Sequence, residues 1–229
     1  PFTIWPRISW KKEQTMKCDK QNMLLYAVTD RAWVGKQTLY EQVESALKGG
    51  VTCVQLREKE LDDEAFLKEA VEIHALCQRY GVPFFVNDNV DIAIRCHAEG
   101  VHVGQEDLPV PAVRSLVGPE MIIGLSTHLP EQAREARSLG ADYIGVGPIF
   151  ATNTKEDVVD PVGYEYLDWV ARNGDLPFVA IGGIKRHNIA EVARHGARCC
   201  SLVSELVGAP DIRTRVEDVR KAMREGMVG

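Results

Sequence analysis

Two short apolar runs, Phe84–Val86 and Val101–Val103, each end in a cluster of amide and carboxylate side chains. Asn87 and Asp88 follow the first run; Gln105, Glu106 and Asp107 follow the second. If the runs are parallel neighbouring strands, both clusters emerge at one end of the sheet. Asp88 and Asp107 then lie about one strand–helix–strand repeat apart. Two carboxylates on adjacent strand ends can hold one Mg2+, a hard cation that takes oxygen ligands and shares them with phosphate. Asp also caps helices, so the pair alone leaves a structural role open beside the metal one.

Other strand ends carry groups suited to an anion. In Gln55-Leu56-Arg57-Glu58-Lys59, alternation puts Gln55, Arg57 and Lys59 on one face and Val54 and Leu56 on the other. Inward-facing Arg and Lys without an opposing carboxylate in the strand demand an anionic partner, because unpaired interior charge is costly. On a solvated strand end they would need none. Ser126, in Gly124-Leu125-Ser126-Thr127-His128, can donate to a phosphate oxygen or cap the next helix. His128 beside it reads most simply as a solvated or structural histidine.

The longest connection runs from Gly147 to Gly163. It offers Thr152, Thr154 and Lys155, two hydroxyl donors and a point cation suited to phosphate. Its length fits a lid, and Glu156, Asp157 and Asp160 read as its solvated tail. Two more runs end in Gly182-Gly183 and Val203-Ser204, where backbone N–H groups can meet a phosphate without obstruction. No Ser-His-Asp or Cys-His arrangement is visible.

The elements that must position these residues repeat regularly. Strand-like runs fall at Leu24–Thr29, Cys53–Arg57, Phe84–Val86, Val101–Val103, Met121–Leu125, Tyr143–Val146, Phe178–Ile181 and Cys199–Val203. Amphipathic helical patterns lie between them, such as Asp63–Tyr80, whose apolar residues recur at helical spacing. Gly49-Gly50, Gly81, Gly100, Gly140 and Gly196 stand between helix and strand, as helix stops would. Eight strand–helix units predict an α/β fold, a single-domain (β/α)8 TIM barrel over 23–229, with 1–22 as an extension. In such barrels the site lies where the strands end, which is where the groups above fall.

Composition narrows the partners. A net charge of −6 over 229 residues argues against a nucleic-acid binder. No apolar run approaches the ~20 residues that span a bilayer, and residues 1–22 lack the pattern of a signal peptide. Six cysteines without a Cys-x-x-Cys pair read as reduced core thiols. These readings predict a cytoplasmic protein acting on small molecules, without nucleic acid or membrane. The sequence is compatible with a homo-oligomer.

The motifs resemble those of the thiamine-phosphate synthase (thiamin phosphate pyrophosphorylase) family over roughly residues 23–225. The carriers are QLREK at 55–59, VNDN at 86–89, GVHVGQED at 100–107, GLSTH at 124–128, GPIFATNTK at 147–155, AIGGI at 180–184 and VS at 203–204. The resemblance implies a transferase of thiamine biosynthesis. It would join 4-amino-5-hydroxymethyl-2-methylpyrimidine diphosphate to a thiazole phosphate and release pyrophosphate, with Mg2+ as cofactor. It implies a pyrimidine diphosphate site of Gln55, Leu56, Arg57, Glu58, Lys59, Asn87, Ser126 and Lys155. Of these, Arg57, Lys59, Ser126 and Lys155 would act on the reacting groups. Asp88 and Asp107 would be the metal ligands. Thr152, Asn153, Thr154, Gly183, Val203 and Ser204 would form the thiazole phosphate site. Asn89 and Glu205 depart from the family pattern. Two alternatives stand beside this one: a thiazole tautomerase on the same barrel, and a non-catalytic sensor of phosphate ligands.

Overall fold

The computed structural model describes residues 24–30, 37–152 and 159–228. Residues 1–22, expected as an extension, lie outside the described residues. Eight parallel strands close into a barrel in sequence order: β1 (Leu25–Val28), β2 (Cys53–Leu56), β3 (Phe84–Asn87), β4 (Gly100–Val103), β5 (Ile122–Thr127), β6 (Tyr143–Val146), β7 (Phe178–Ala180) and β8 (Cys200–Leu202). β1 pairs with β8, which closes the ring. Helices α1 (Leu39–Gly49), α2 (Asp63–Tyr80), α3 (Val90–Arg95), α4 (Val110–Val117), α5 (Pro130–Leu139), α6 (Gly163–Asn173) and α7 (Ile189–Arg194) connect successive strands. α8 (Ser204–Val207) and α9 (Ile212–Val228) follow the last strand. The expected (β/α)8 barrel is the observed fold.

The helices start and stop where the sequence supplies caps. Thr38 and Glu41 form a reciprocal capping box at α1. Asp62 accepts from the Ala65 N–H at the start of α2, whose predicted bounds are the observed ones. Gly50, Gly81 and Gly140 end α1, α2 and α5 in the left-handed conformation. Gly100 does not belong with them. Cys96 ends α3, and Gly100 is the first residue of β4, where a Cβ would lie 2.3 Å from the Phe85 ring.

Strand alternation sorts the core into two layers. Val54 and Leu56 are fully buried against the helices, each contributing about 1.5–3 kcal/mol by leaving water. Tyr26, Cys53, Phe85, Tyr143, Val179 and Cys199 fill the barrel interior. The paired residues Phe85↔Gly100 and Asn87↔His102 set β3 beside β4, so the clusters that follow these strands share one rim.

Most strand bounds shift by a residue or two from expectation, and two differences have a local cause. α8 has only four residues, too few for a periodic pattern, and it was not expected. β8 is shorter at both ends than the predicted Cys199–Val203, because Val203 leaves the extended conformation to begin α8.

Candidate active site

The end of β2 places charge at the rim. Gln55 is buried, and its Nε2 donates to the Tyr26 hydroxyl at 2.9 Å. Arg57 follows on the same face, and its Nε is buried with no hydrogen-bond partner among the described residues. A buried N–H left unpaired costs about 1–3 kcal/mol, so this guanidinium is built for an anion that the described residues do not supply. Lys59 has no opposing carboxylate in its own strand, as expected, but its Nζ lies 2.6 Å from Asp88 Oδ2, which reaches across the rim from just past β3.

Glu58 and Leu56 are placed differently. Glu58 Oε1 accepts from the N–H groups of Lys59, Glu60 and Leu61, so this side chain shapes the loop. Leu56 faces the helices, leaving only its backbone for the site.

Asp88 lies just past β3 with φ of 61°, a left-handed backbone unusual for a residue other than glycine. It does not cap α3; Asn89 does, accepting from the Ile92 N–H at 3.0 Å. That explains why an amide suits position 89. Asp107 accepts from the Gly104 N–H at 2.7 Å and closes its own loop, while α4 begins at Pro109 without a side-chain cap. Burial, and then the hydrogen bond and charge of Asp88, push the Asp107 carboxyl above its ordinary pKa, against the Gly104 N–H and Lys59. Two carboxyl groups forced together in this way fit a shared divalent cation. Among the described residues no group of three or more His, Cys, Asp or Glu could hold a metal. Further ligands would therefore come from substrate or water.

Ser126 sits within β5, one position before its end. Its carbonyl accepts from Gln105 Nε2 at 2.6 Å, and its hydroxyl lies 2.9 Å from His102 Nε2. No Ser-His-Asp arrangement was visible in the sequence, and the barrel brings His102 to Ser126 with the Tyr143 hydroxyl behind the imidazole. The signal for this pairing was parity: His102 shares the inward face of β4 with Gly100, as Ser126 does on β5 with Gly124. His128 proves structural, with its backbone held by Gln132 and its Nδ1 against the Gly147 carbonyl. Asn87 is buried at the end of β3.

Loops six to eight meet on the far side of the rim. Gly183 has φ of 63°, and a Cβ there would lie 2.7 Å from both the Ala151 carbonyl and Phe150 Cβ. The glycine therefore also lets loop seven press against loop six. Lys185, missed in the sequence, donates to Ser204 Oγ at 2.8 Å. Glu205 turns toward Arg215 at 2.5 Å and accepts from the Arg186 N–H at 3.2 Å, leaving Ser204 to Lys185. Val203 precedes Ser204 at the start of α8, and Thr152 is half-buried after β6. Asn153, Thr154 and Lys155 lie outside the described residues, as do 156–158 of the connection expected to act as a lid.

A barrel with an unpartnered guanidinium N–H among its described residues and close-set carboxylates at this rim belongs with the (β/α)8 enzymes that handle phosphorylated small molecules. Comparison with known proteins names the group. The profile of the thiamine monophosphate synthase family matches residues 25–206, and the chain belongs to that family. It is 52% identical over 199 residues to the thiamine-phosphate synthase of Lawsonia intracellularis, covering 87% of this chain and 92% of that protein. It is 53% identical over 199 residues to the thiamine-phosphate synthase of Pelotomaculum thermopropionicum, covering 86% and 90%. Among solved structures it is similar to the thiamine phosphate pyrophosphorylase of Pyrococcus furiosus, with a TM-score of 0.83 and 34% identity over 91% of this chain and 98% of that one.

Proposed function

We propose that the protein catalyses the synthesis of thiamine phosphate from 4-amino-5-hydroxymethyl-2-methylpyrimidine diphosphate and 4-methyl-5-(2-phosphooxyethyl)thiazole, releasing pyrophosphate. The observation that carries this reading is the buried, unpartnered Nε of Arg57 at the end of β2. It stands two residues before Lys59, whose Nζ meets Asp88. A diphosphate would complete both groups at once.

The pyrimidine's methylene–oxygen bond breaks and the diphosphate leaves with the electron pair. The ring amine feeds electrons into the cation that forms. The thiazole nitrogen then supplies the pair for the new carbon–nitrogen bond. No general base is required. Arg57, Lys59 and Lys155 stabilise the departing charge, and each well-aimed donor of this kind contributes about 2.7–4 kcal/mol. Gln55, Asn87 and Ser126 hold the pyrimidine diphosphate, together with the backbone at Leu56 and Glu58. Asp88 and Asp107 would hold Mg2+, which neutralises charge on the leaving diphosphate when bound. Thr152, Asn153, Thr154, Gly183, Val203 and Ser204 receive the thiazole phosphate, with Lys185 added from the contact with Ser204. Held together at the rim, the two reactants would meet in order rather than by diffusion.

The catalytic domain in this reading is the barrel of 23–229, with 1–22 outside it. The free cysteines at 53, 77, 96, 199 and 200 support a reducing, cytoplasmic setting. Among the described residues no helix is long and apolar enough to cross a membrane. Incubation of the purified protein with both substrates and Mg2+ tests the function. Thiamine phosphate and pyrophosphate should form in equal amounts. Formation of neither, by protein whose circular dichroism shows it folded, would overturn the reading.

A further inference from the structure

A line of polar side chains crosses the barrel interior, and its middle members, Tyr26, Tyr143 and His102, have no part in the proposed reaction. Gln55 Nε2 donates to the Tyr26 hydroxyl at 2.9 Å, which meets the Tyr143 hydroxyl at 2.9 Å. Tyr143 meets His102 Nδ1 at 2.9 Å, and His102 Nε2 meets Ser126 Oγ at 2.9 Å. The line joins β2, β1, β6, β4 and β5, and its two ends are residues assigned to the pyrimidine diphosphate. Gln55, Tyr26 and Tyr143 are at most 5% exposed.

The barrel is hollowed to admit this line. A Cβ on Gly124 would lie 2.3 Å from both His102 Nδ1 and Tyr143 Cζ. The imidazole and the phenol occupy the volume that a side chain on β5 would fill. Phe85 walls the tyrosines, with ring centroids 5.8 Å from both Tyr26 and Tyr143. A polar chain in so dry a place is costly unless each member is satisfied.

The Gln55 amide sets one direction along the line. An amide nitrogen only donates, so the Tyr26 oxygen accepts from Gln55. Each remaining contact can run either way. If every proton is passed onward, from Tyr26 to Tyr143 and from Tyr143 to His102 Nδ1, then His102 carries its own proton on Nε2 and donates it to Ser126 Oγ. The hydroxyl proton of Ser126 is left to point elsewhere.

We propose that Tyr26, Tyr143 and His102 form a polarised relay that holds Ser126 as a hydrogen-bond donor toward the diphosphate substrate. The three are positioning residues, acting through Ser126 and Gln55 without touching the reacting atoms. The direction of the relay can be measured without substrate, whereas its use on substrate rests on the proposed function. Were the Gln55 amide reversed, every bond would reverse with it, and His102 Nε2 would accept from Ser126. The serine could then no longer donate to an anion.

Two measurements decide the matter. Nitrogen NMR of protein labelled with 15N-histidine distinguishes the tautomers without any substrate. The His102 signal, identified by its shift in Ser126→Ala, should be that of the Nε2–H form at neutral pH. In Tyr26→Phe, which removes one hydroxyl two hydrogen bonds from the ring, a share of the Nδ1–H form should emerge. An Nδ1–H form or an imidazolium in the wild type would overturn the relay, whether or not the variant folds. The second measurement is a double-mutant cycle on kcat/KM for the pyrimidine diphosphate. Tyr26→Phe should lower it about tenfold when Ser126 is present and less than about twofold in Ser126→Ala. Equal losses in both backgrounds would mean that Tyr26 only packs the barrel. A wild type that makes no thiamine phosphate would overturn the proposed function and leave the tautomer to decide the relay.

Discussion

Arg57 shows how a single residue can be arranged for a ligand at the expense of the empty protein. Its Nε is buried without a partner among the described residues, a loss that an incoming anion can recover. Arg57→Met keeps most of the stem's packing and removes the orphaned group. We expect the variant without ligand to gain about 1 kcal/mol, a rise in Tm of about 2–4 °C for a chain of this size. Its KM for the pyrimidine diphosphate should rise at the same time. Thermal unfolding paired with steady-state kinetics checks both halves, and a lowered Tm would show that Arg57 already has an adequate partner. Asp88 and Asp107 give the complementary case. Asp88→Asn and Asp107→Asn relieve the crowding of two carboxyl groups but remove the oxygen charge a divalent ion needs. Each should lower thiamine phosphate formation by roughly 100-fold or more, with an unchanged circular dichroism spectrum. A Mg2+ titration of the residual rate checks this, and full activity of both variants in chelator would remove the metal assignment. This carboxylate pair was legible because its members follow adjacent strands in sequence. His102 and Ser126 were not paired in advance, since their contact needs the cross-strand register of β4 and β5, which no local pattern states.

At the scale of elements, the same division between local and non-local information holds. The bounds of α2 follow from Asp62, the buried stripe and Gly81, all within one stretch of chain. α8 was invisible because four residues carry no period, and Gly100 was misread because its neighbour Phe85 lies on another strand. The clip that ties α2 to the β3–β4 edge is also non-local. His74 is buried on α2; its Nδ1 lies 2.9 Å from the Cys96 carbonyl and its Nε2 3.1 Å from Glu99 Oε1. Glu99 Oε2 in turn accepts from the Phe84 N–H at 2.8 Å. Burial pushes the imidazole pKa down, but the hydrogen bond and charge of Glu99, with the Cys96 carbonyl, outweigh it and hold the value above the ordinary one. A group whose folded pKa is raised stabilises the fold below its unfolded pKa of about 6.5. That contribution is lost as pH climbs through the folded value. Wild-type protein should therefore lose stability from mildly acidic to mildly alkaline pH more steeply than Glu99→Gln, in which the imidazole pKa falls. Urea unfolding across that range, with an NMR titration of His74, checks the sign. Equal slopes would mean that the clip carries no charge in the folded state.

The whole barrel combines two demands that seldom share one interior. Its outer layer, between strands and helices, is continuous and apolar, and it closes the fold. The inner layer begins as Cys53, Phe85, Val179 and Cys199 but gives way to tyrosine, histidine and serine, which cross the interior to the active rim. Glycines make that crossing possible by ceding volume, and the distances rank their importance. A Cβ on Gly124 would meet His102 and Tyr143 at 2.3 Å, a separation that forces both rings to move. On Gly145 the nearest contact would be His102 Cε1 at 3.3 Å, which a shift of a few tenths of an ångström relieves. Gly124→Ala should therefore cost about 1–3 kcal/mol of stability, the usual range for overpacking. It should also impair turnover beyond that loss, because the displaced imidazole no longer reaches Ser126. Gly145→Ala should stay well below that cost and keep most of its activity. Both glycines lie on inward-facing positions of adjacent strands, so a general intolerance of the interior to added volume would penalise them alike. Chemical denaturation and kcat/KM measured on the two variants distinguish these outcomes. Similar penalties for both would show that the polar crossing has no special claim on the space beside Gly124.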